Sequence, residues 1–249
     1  MKYFLHLAYK GTNYHGWQWQ PNVVSVQQMI EEALAKVFKK EKVSIAGCGR
    51  TDAGVHASQY YAQVKIEESF DFDAVFRLNK MLPPDICVYE MIPVAQNMHA
   101  QHSPISRTYT YHFHTKANPF IQDVSTFVEI ELDFEKMKTA VALLQKYENF
   151  RAFCKQPDLY PHHRCDIMEV FLEIDETTNC HFFKITANRF LRSMIRLLMG
   201  NLFKIGKGKL TIDTFESFLK TGESPKFFNE APPQGLFLTG VKYANLPVL

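Results

Sequence analysis

KVSIAGCGRTDAGVHASQYYAQVKI, residues 42–66, sets a glycine-rich loop between two runs that read as β-strands. The element after the loop decides the fold. Gly47 and Gly49 begin the spacing of a dinucleotide-binding fingerprint, but that pattern needs a third glycine where this chain has Asp52. A P-loop needs Lys-Ser/Thr after its last glycine, and Gly54-Val55-His56-Ala57 supplies neither. Both of those folds run strand, loop, helix; here a second strand comes next. Cys48, Asp52 and His56 would align as metal ligands on a helix, but Gly47, Gly49 and Gly54 oppose a helix, so no metal site is expected. CKQPDLYPHHRC (154–165) matches no common zinc spacing either.

The apex of the loop is Arg50-Thr51-Asp52, and Asp52 is the only acidic residue between Glu41 and Glu67. Two readings stay open from spacing alone. Asp52 could begin a structural Asp-Ala-Gly turn. Or Asp52 is a nucleophile or base beside a phosphate held by the Arg50 fork, with glycines allowing close approach.

Outward from this loop, one order of elements is read twice. KYFLHLAY is a strand. Ser25-Val26-Gln27-Gln28 is a capping box that starts a helix with Val26, Ile30, Ala33, Leu34 and Val37 on one face. The two strands of the opening stretch come next. DFDAVFRLNKML is a helix stopped by Pro83-Pro84, and DICVYEMI is a strand. In the second half RTYTYHFHT is a strand, and Asp133 caps the helix FEKMKTAVALLQKY. DIMEVFLEI and CHFFKITA are strands joined by DETTN, NRFLRSMIRLLMGNLFKI is a helix, TIDTFESFLK a short helix and GLFLTGVKY a last strand. Each half is β-α-β-β-α-β, so the fold class is α+β: two ferredoxin-like halves, a mostly antiparallel mixed sheet and flanking helices. The halves are expected at 1–103 and 104–249, joined near HAQHSPIS without a flexible linker.

The 249 residues, 46% hydrophobic, suffice for a substantial core. No apolar run is long enough for a membrane helix, and five cysteines without CxxC fit a reducing cytoplasm. The net charge of +2 is weak, but its distribution is not even. Residues 1–30, 91–122 and 177–212 contain no Asp or Glu, and the last of these carries seven basic residues. If such segments share a face, it suits a polyanion. Arg189, Arg192 and Arg196 would share one face of the long helix. A buried Arg196 would need a charged partner.

With these residues in view, GCGRTDAGVHA closely resembles the signature of the TruA family of tRNA pseudouridine synthases. YKGTNYHGWQWQP, SRTYTY, ANRFLRSMIR with the subsequent KIGKGKL, and APPQGLFLTGVKY resemble four further family segments, in order along nearly the whole chain. The resemblance implies that Asp52 is the catalytic aspartate, that Arg50 binds near a flipped nucleotide and that Tyr109 stacks on the uracil. It implies that Arg196 pairs with Asp52 and Leu236 packs on the base. Arg107, Arg189, Arg192, Lys207 and Lys209 are the further candidate RNA contacts. It also implies a cofactor-free homodimer acting on uridines 38, 39 and 40 of the tRNA anticodon stem-loop. The chain departs from the family at Gln101, where an Arg is usual, and at Trp19 in Gln18-Trp19-Gln20, where the usual run is Gln-Arg-Gln. Competing readings are a non-catalytic RNA-binding protein of this fold, a synthase acting on another RNA site, and an unrelated enzyme with Cys48 as nucleophile.

Overall fold

The computed structural model describes residues 1–223, 229–244 and 246. Two compact units divide the chain: residues 1–105 with the C-terminal strand from Phe237, and residues 106–236.

The first unit is built on β1 (Lys2–Tyr9), β2 (Ile45–Gly47), β3 (His56–Lys65), β4 (Ile86–Pro93) and the last strand of the chain, β9 (Leu236–Tyr243). β1 lies between β4 and β3, antiparallel to both, and Phe4, Leu5 and Leu7 are fully buried, as a strand covered on both faces requires. β3 pairs antiparallel with β2 at residues 62–64 and parallel with β9 at His56 and Ala57, so the sheet is mixed. α1 (Val26–Val37) starts where Ser25 accepts from the Gln28 N–H at 3.2 Å, and the five apolar residues read from the sequence are its buried face. Only half of the capping box forms, and the Gln28 amide nitrogen donates to Glu32 at 2.9 Å. Asp73 caps α2 (Ala74–Met81), which ends at Leu82 before the two prolines.

The second unit carries β5 (Pro104–His114), β6 (Thr126–Phe127), β7 (Ile167–Glu173) and β8 (His181–Ala187), with β8 antiparallel to both β5 and β7 and the short β6 parallel to β5. α3 (Phe134–Leu143), capped by Asp133, packs on α4 (Met194–Gly206), and α5 (Ile212–Thr221) ends at Gly222 in the left-handed region. The core includes Tyr111, Phe113, Phe150, Phe153, Phe183 and Phe215, all fully buried.

One reading from the sequence is corrected here. The long helix begins at Met194, not at Asn188, because Ser193 stands in the left-handed region (φ 57°). Asn188 is clasped by Asp166: its side-chain nitrogen donates to the carboxylate at 2.7 Å and its side-chain oxygen accepts from the Asp166 N–H at 3.0 Å. The Arg192 N–H donates to the Tyr160 hydroxyl at 3.1 Å, and the Arg192 carbonyl accepts from the Lys155 N–H at 3.2 Å. With these groups satisfied outside a helix, residues 188–193 form an irregular approach to α4. Arg189 and Arg192 therefore do not share a helical face with Arg196.

Candidate active site

Gly47 ends β2 and His56 begins β3, so residues 48–55 are loop, and Cys48, Asp52 and His56 share no helical face. Inside the loop the Val55 N–H donates to the Asp52 carbonyl at 3.2 Å, with Gly54 at φ +77° in the third turn position. The structural turn is thus real, but the main chain of Asp52 closes it. The turn itself needs no carboxylate at that position.

The apex is braced from the N-terminal segment of the same unit. Tyr9 Oη lies 2.8 Å from Thr51 Oγ1, where a register shift interrupts the β1–β3 ladder between Leu7 and Tyr9. The Thr51 carbonyl accepts from the Trp17 N–H (3.3 Å), and the Tyr14 carbonyl from the Gly54 N–H (3.2 Å). These contacts need glycine at two points: a β-carbon on Gly11 would lie 2.0 Å from the Val55 carbonyl oxygen, and one on Gly16 would lie 2.3 Å from that of Thr51. On the other side Trp17 and Tyr60 stack with ring centroids 4.1 Å apart, and the Tyr60 hydroxyl donates to the Gly49 carbonyl. His56 is fully buried, and its Nδ1 accepts from the Gly11 N–H at 2.9 Å, which places the imidazole proton on Nε2. Arg50 is exposed and Asp52 half-buried at the apex of this frame. Cys48, the other nucleophile considered, is fully buried.

In the second unit, β5 alternation sends Tyr109, Tyr111 and Phe113 to one face. Tyr111 and Phe113 are core; the Tyr111 hydroxyl lies 2.7 Å from Thr126 Oγ1 and donates to the Pro232 carbonyl at 2.8 Å. Burial pushes its phenol pKa well above the usual range. Tyr109 is half-buried and meets Phe190 edge-on at 5.2 Å. Arg107 reaches the Asn188 carbonyl at 3.4 Å. Arg189 lies over the Tyr160 ring (5.6 Å) and 3.2 Å from the His162 ring, and Arg192 bonds the Gln156 side-chain oxygen. Lys207 is half-buried and Lys209 exposed just beyond α4.

Arg196, in the first turn of α4, donates through Nε to the Ala231 carbonyl at 2.8 Å and pairs with Glu230 at 3.0 Å, both side chains about 15% exposed. Glu230 also holds Lys155 at 2.8 Å. Within its unit, therefore, Arg196 has a carboxylate partner in Glu230, a residue the sequence reading passed over. The same strand of chain crosses α4 where a β-carbon on Gly200 would lie 1.6 Å from the Asn229 carbonyl oxygen. Leu236 is buried at the start of β9. Among the described residues, no helix is long and apolar enough to cross a membrane.

Comparison with known proteins adds relatives of similar length. The sequence profile of the tRNA pseudouridine synthase family matches residues 140–244. The tRNA pseudouridine synthase A of Porphyromonas gingivalis is 40% identical over 247 residues, covering 98% of each chain. That of Bacteroides fragilis is 40% identical over 97% of this chain and 96% of its own, and that of Thermodesulfovibrio yellowstonii 36% identical over 95% and 97%.

Proposed function

Because the chain belongs to the tRNA pseudouridine synthase A family, we propose that it isomerises uridine to pseudouridine at positions 38, 39 and 40 of the tRNA anticodon stem-loop. The N1–C1′ bond breaks, the uracil turns, C5 bonds C1′ in its place, and the proton lost from C5 is balanced by one gained at N1. The reaction is an internal rearrangement and needs no electron donor or acceptor, so we assign no cofactor. The protein acts as a homodimer on tRNA in the cytoplasm. We also read the chain as two ferredoxin-like halves, 1–103 and 104–249, a reading supported by the β-α-β-β-α-β order of residues 2–93 and by its recurrence, with β6 and α5 added, in the remainder.

Asp52 is the nucleophile. The observation that carries this assignment is the braced loop: Tyr9, Tyr14, Trp17 and Tyr60 fix the backbone around a residue whose carboxylate the turn does not require. Fixing a reacting group before substrate arrives lowers the entropy cost of attack. Arg50, exposed beside it, holds the phosphate of the flipped nucleotide. Tyr109 stacks on the uracil, which offsets part of the few kcal/mol of unstacking. Arg196 and Leu236 complete the substrate contacts, and Arg107, Arg189, Arg192, Lys207 and Lys209 hold the RNA backbone.

The test is a site map of pseudouridine. Unmodified tRNA transcripts with uridines at 38–40 are incubated with wild type and Asp52→Asn, and carbodiimide adducts are located by reverse transcription. Stops near the anticodon with wild type alone are the expected result. Stops with both proteins refute Asp52 as nucleophile. Binding without stops for either refutes the activity at these sites and leaves an RNA-binding protein, or a synthase for another RNA.

A further inference from the structure

Trp19 is a large aromatic side chain left 51% exposed on a short segment that is otherwise tied down. Its own N–H donates to the Gln27 side-chain oxygen at 3.0 Å. That oxygen is aimed because the amide nitrogen of Gln27 is spent on Glu31 at 2.9 Å and the Ile45 carbonyl at 3.2 Å. On either side, His15 N–H donates to the Val24 carbonyl (2.9 Å), Gln20 donates to the His15 carbonyl (3.0 Å), and Gln20 bridges Val23. Asn22 turns the chain at φ 66°, a conformation asparagine tolerates. The result is a fixed tip beside an open depression of about 440 Å³, lined by His15, Trp19, Gln20, Asn22, Val23, Val24 and Gln28.

We propose that this depression is a base-binding subsite in which Trp19 stacks on an unpaired nucleotide next to the target uridine. The inference rests on the tRNA reading above. Three observations favour RNA as the occupant. The lining is one indole and two valines among an imidazole and three carboxamides, so it offers a stacking plane ringed by groups that donate to and accept from a base edge. Residues 1–30 contain no Asp or Glu, and the nearby α1 carboxylates Glu31 and Glu32 are engaged by Gln27 and Gln28. The position also fits: the Trp17 N–H is bonded to the Thr51 carbonyl, next to Asp52, and two residues span at most about 7 Å. A surface for another protein would need a broader apolar patch than Trp19, Val23 and Val24 provide.

The chain's two tryptophans make a direct test, since Trp17 is buried (3% exposed) and Trp19 is not. Tryptophan emission is measured with acrylamide as quencher, without and with a tRNA transcript carrying uridines at 38–40. Trp19→Phe, which leaves Trp17 alone, gives the baseline. Stacking is expected to remove the acrylamide-accessible emission of wild type. Trp19→Ala should weaken tRNA binding about 5- to 100-fold, the equivalent of one base–aromatic stack, while Trp19→Phe stays within about threefold of wild type. RNA binding with Trp19 still open to acrylamide, and equal affinity for Trp19→Ala, overturns the subsite while the pseudouridine map leaves the activity standing. Trp19 already shielded in an RNA-free dimer that Trp19→Ala dissociates also overturns it, by making the tip a contact between copies. A chain that binds no tRNA overturns both.

Discussion

Glycine inside a helix ordinarily costs about 1 kcal/mol relative to alanine, so Gly200→Ala in the middle of α4 would normally stabilise. Here the opposite is expected. The new methyl would stand 1.6 Å from the Asn229 carbonyl oxygen and 2.8 Å from its carbon, main-chain atoms that no rotamer change can move. Residues 229–231 must shift by well over an ångström, and they carry what holds Arg196. At stake are the Ala231 N–H to the Arg196 carbonyl (2.9 Å), the Asn229 amide to the Gly200 carbonyl (3.3 Å), Arg196 Nε to the Ala231 carbonyl (2.8 Å) and the Arg196–Glu230 pair (3.0 Å). Neutral bonds contribute about 1 kcal/mol each and charged ones about 1.5–3. Losing part of this set, less the helix gain, leaves a net loss of about 3 kcal/mol. In a chain of this size that lowers Tm by roughly 6–12 °C. Urea denaturation followed by circular dichroism, with pseudouridine formation assayed in parallel, reads both stability and activity. Glu230→Gln is the companion variant: it keeps the backbone crossing, removes the ionic partner, and should cost less, about 1–2 kcal/mol. A Gly200→Ala protein as stable as wild type, with normal activity, would refute the crossing as the reason for this glycine.

Two further outcomes are expected. Tyr9→Phe keeps the ring against Trp17 and Tyr60 but deletes the bond to Thr51, so it should cost about 1 kcal/mol of stability and lower kcat with little change in KM; an unchanged kcat would show that the brace does not position Asp52. Burial holds His6, His112, His114 and His181 below the usual imidazole value of 6.5, so between their folded values and 6.5 the unfolded chain binds protons that the native chain does not. Stability should therefore be highest above 6.5 and decline as pH falls, by up to about 1.4 kcal/mol per pH unit per histidine; urea midpoints that stay flat between about pH 7.5 and 5.5 would contradict this.

Local signals carried most of the element assignment. Ser25, Asp73 and Asp133 each cap a helix where the sequence placed one, and β1 has the bounds read from its apolar run. What failed was the start of α4. The apolar residues at 190–198 satisfy a helical period, but the period is blind to the Asn188–Asp166 clasp that comes from far along the chain. The loop around Asp52 was legible as a glycine turn with an isolated acid. Its brace was not, because Tyr9, Trp17 and Tyr60 come from three separate segments. Gly11 and Gly16 were the available signal: each marks a place where another backbone comes too close for a side chain.

The same blindness to long-range partners changes how the acid-free stretch 177–212 should be weighed. Counted along the chain it offers seven cations to a polyanion. In the folded unit, Lys184 is paired with Glu169 at 3.1 Å and Arg196 with Glu230 at 3.0 Å, both carboxylates lying outside the stretch. Arg189 and Arg192 are held instead by groups that carry no negative charge, the Tyr160 and His162 rings and the Gln156 amide, which orient a guanidinium without cancelling its charge. Because an ion pair must be broken or shared before its cation can serve a phosphate, while a neutral partner need only yield one hydrogen bond, the two kinds of arginine suit different work. The proposed role of Arg189 and Arg192, on the irregular approach to α4, in holding RNA phosphates accords with this difference. The proposed contact of Arg196 with the reacting nucleotide accords with its enclosure and its fixed place against Glu230 and the Ala231 carbonyl.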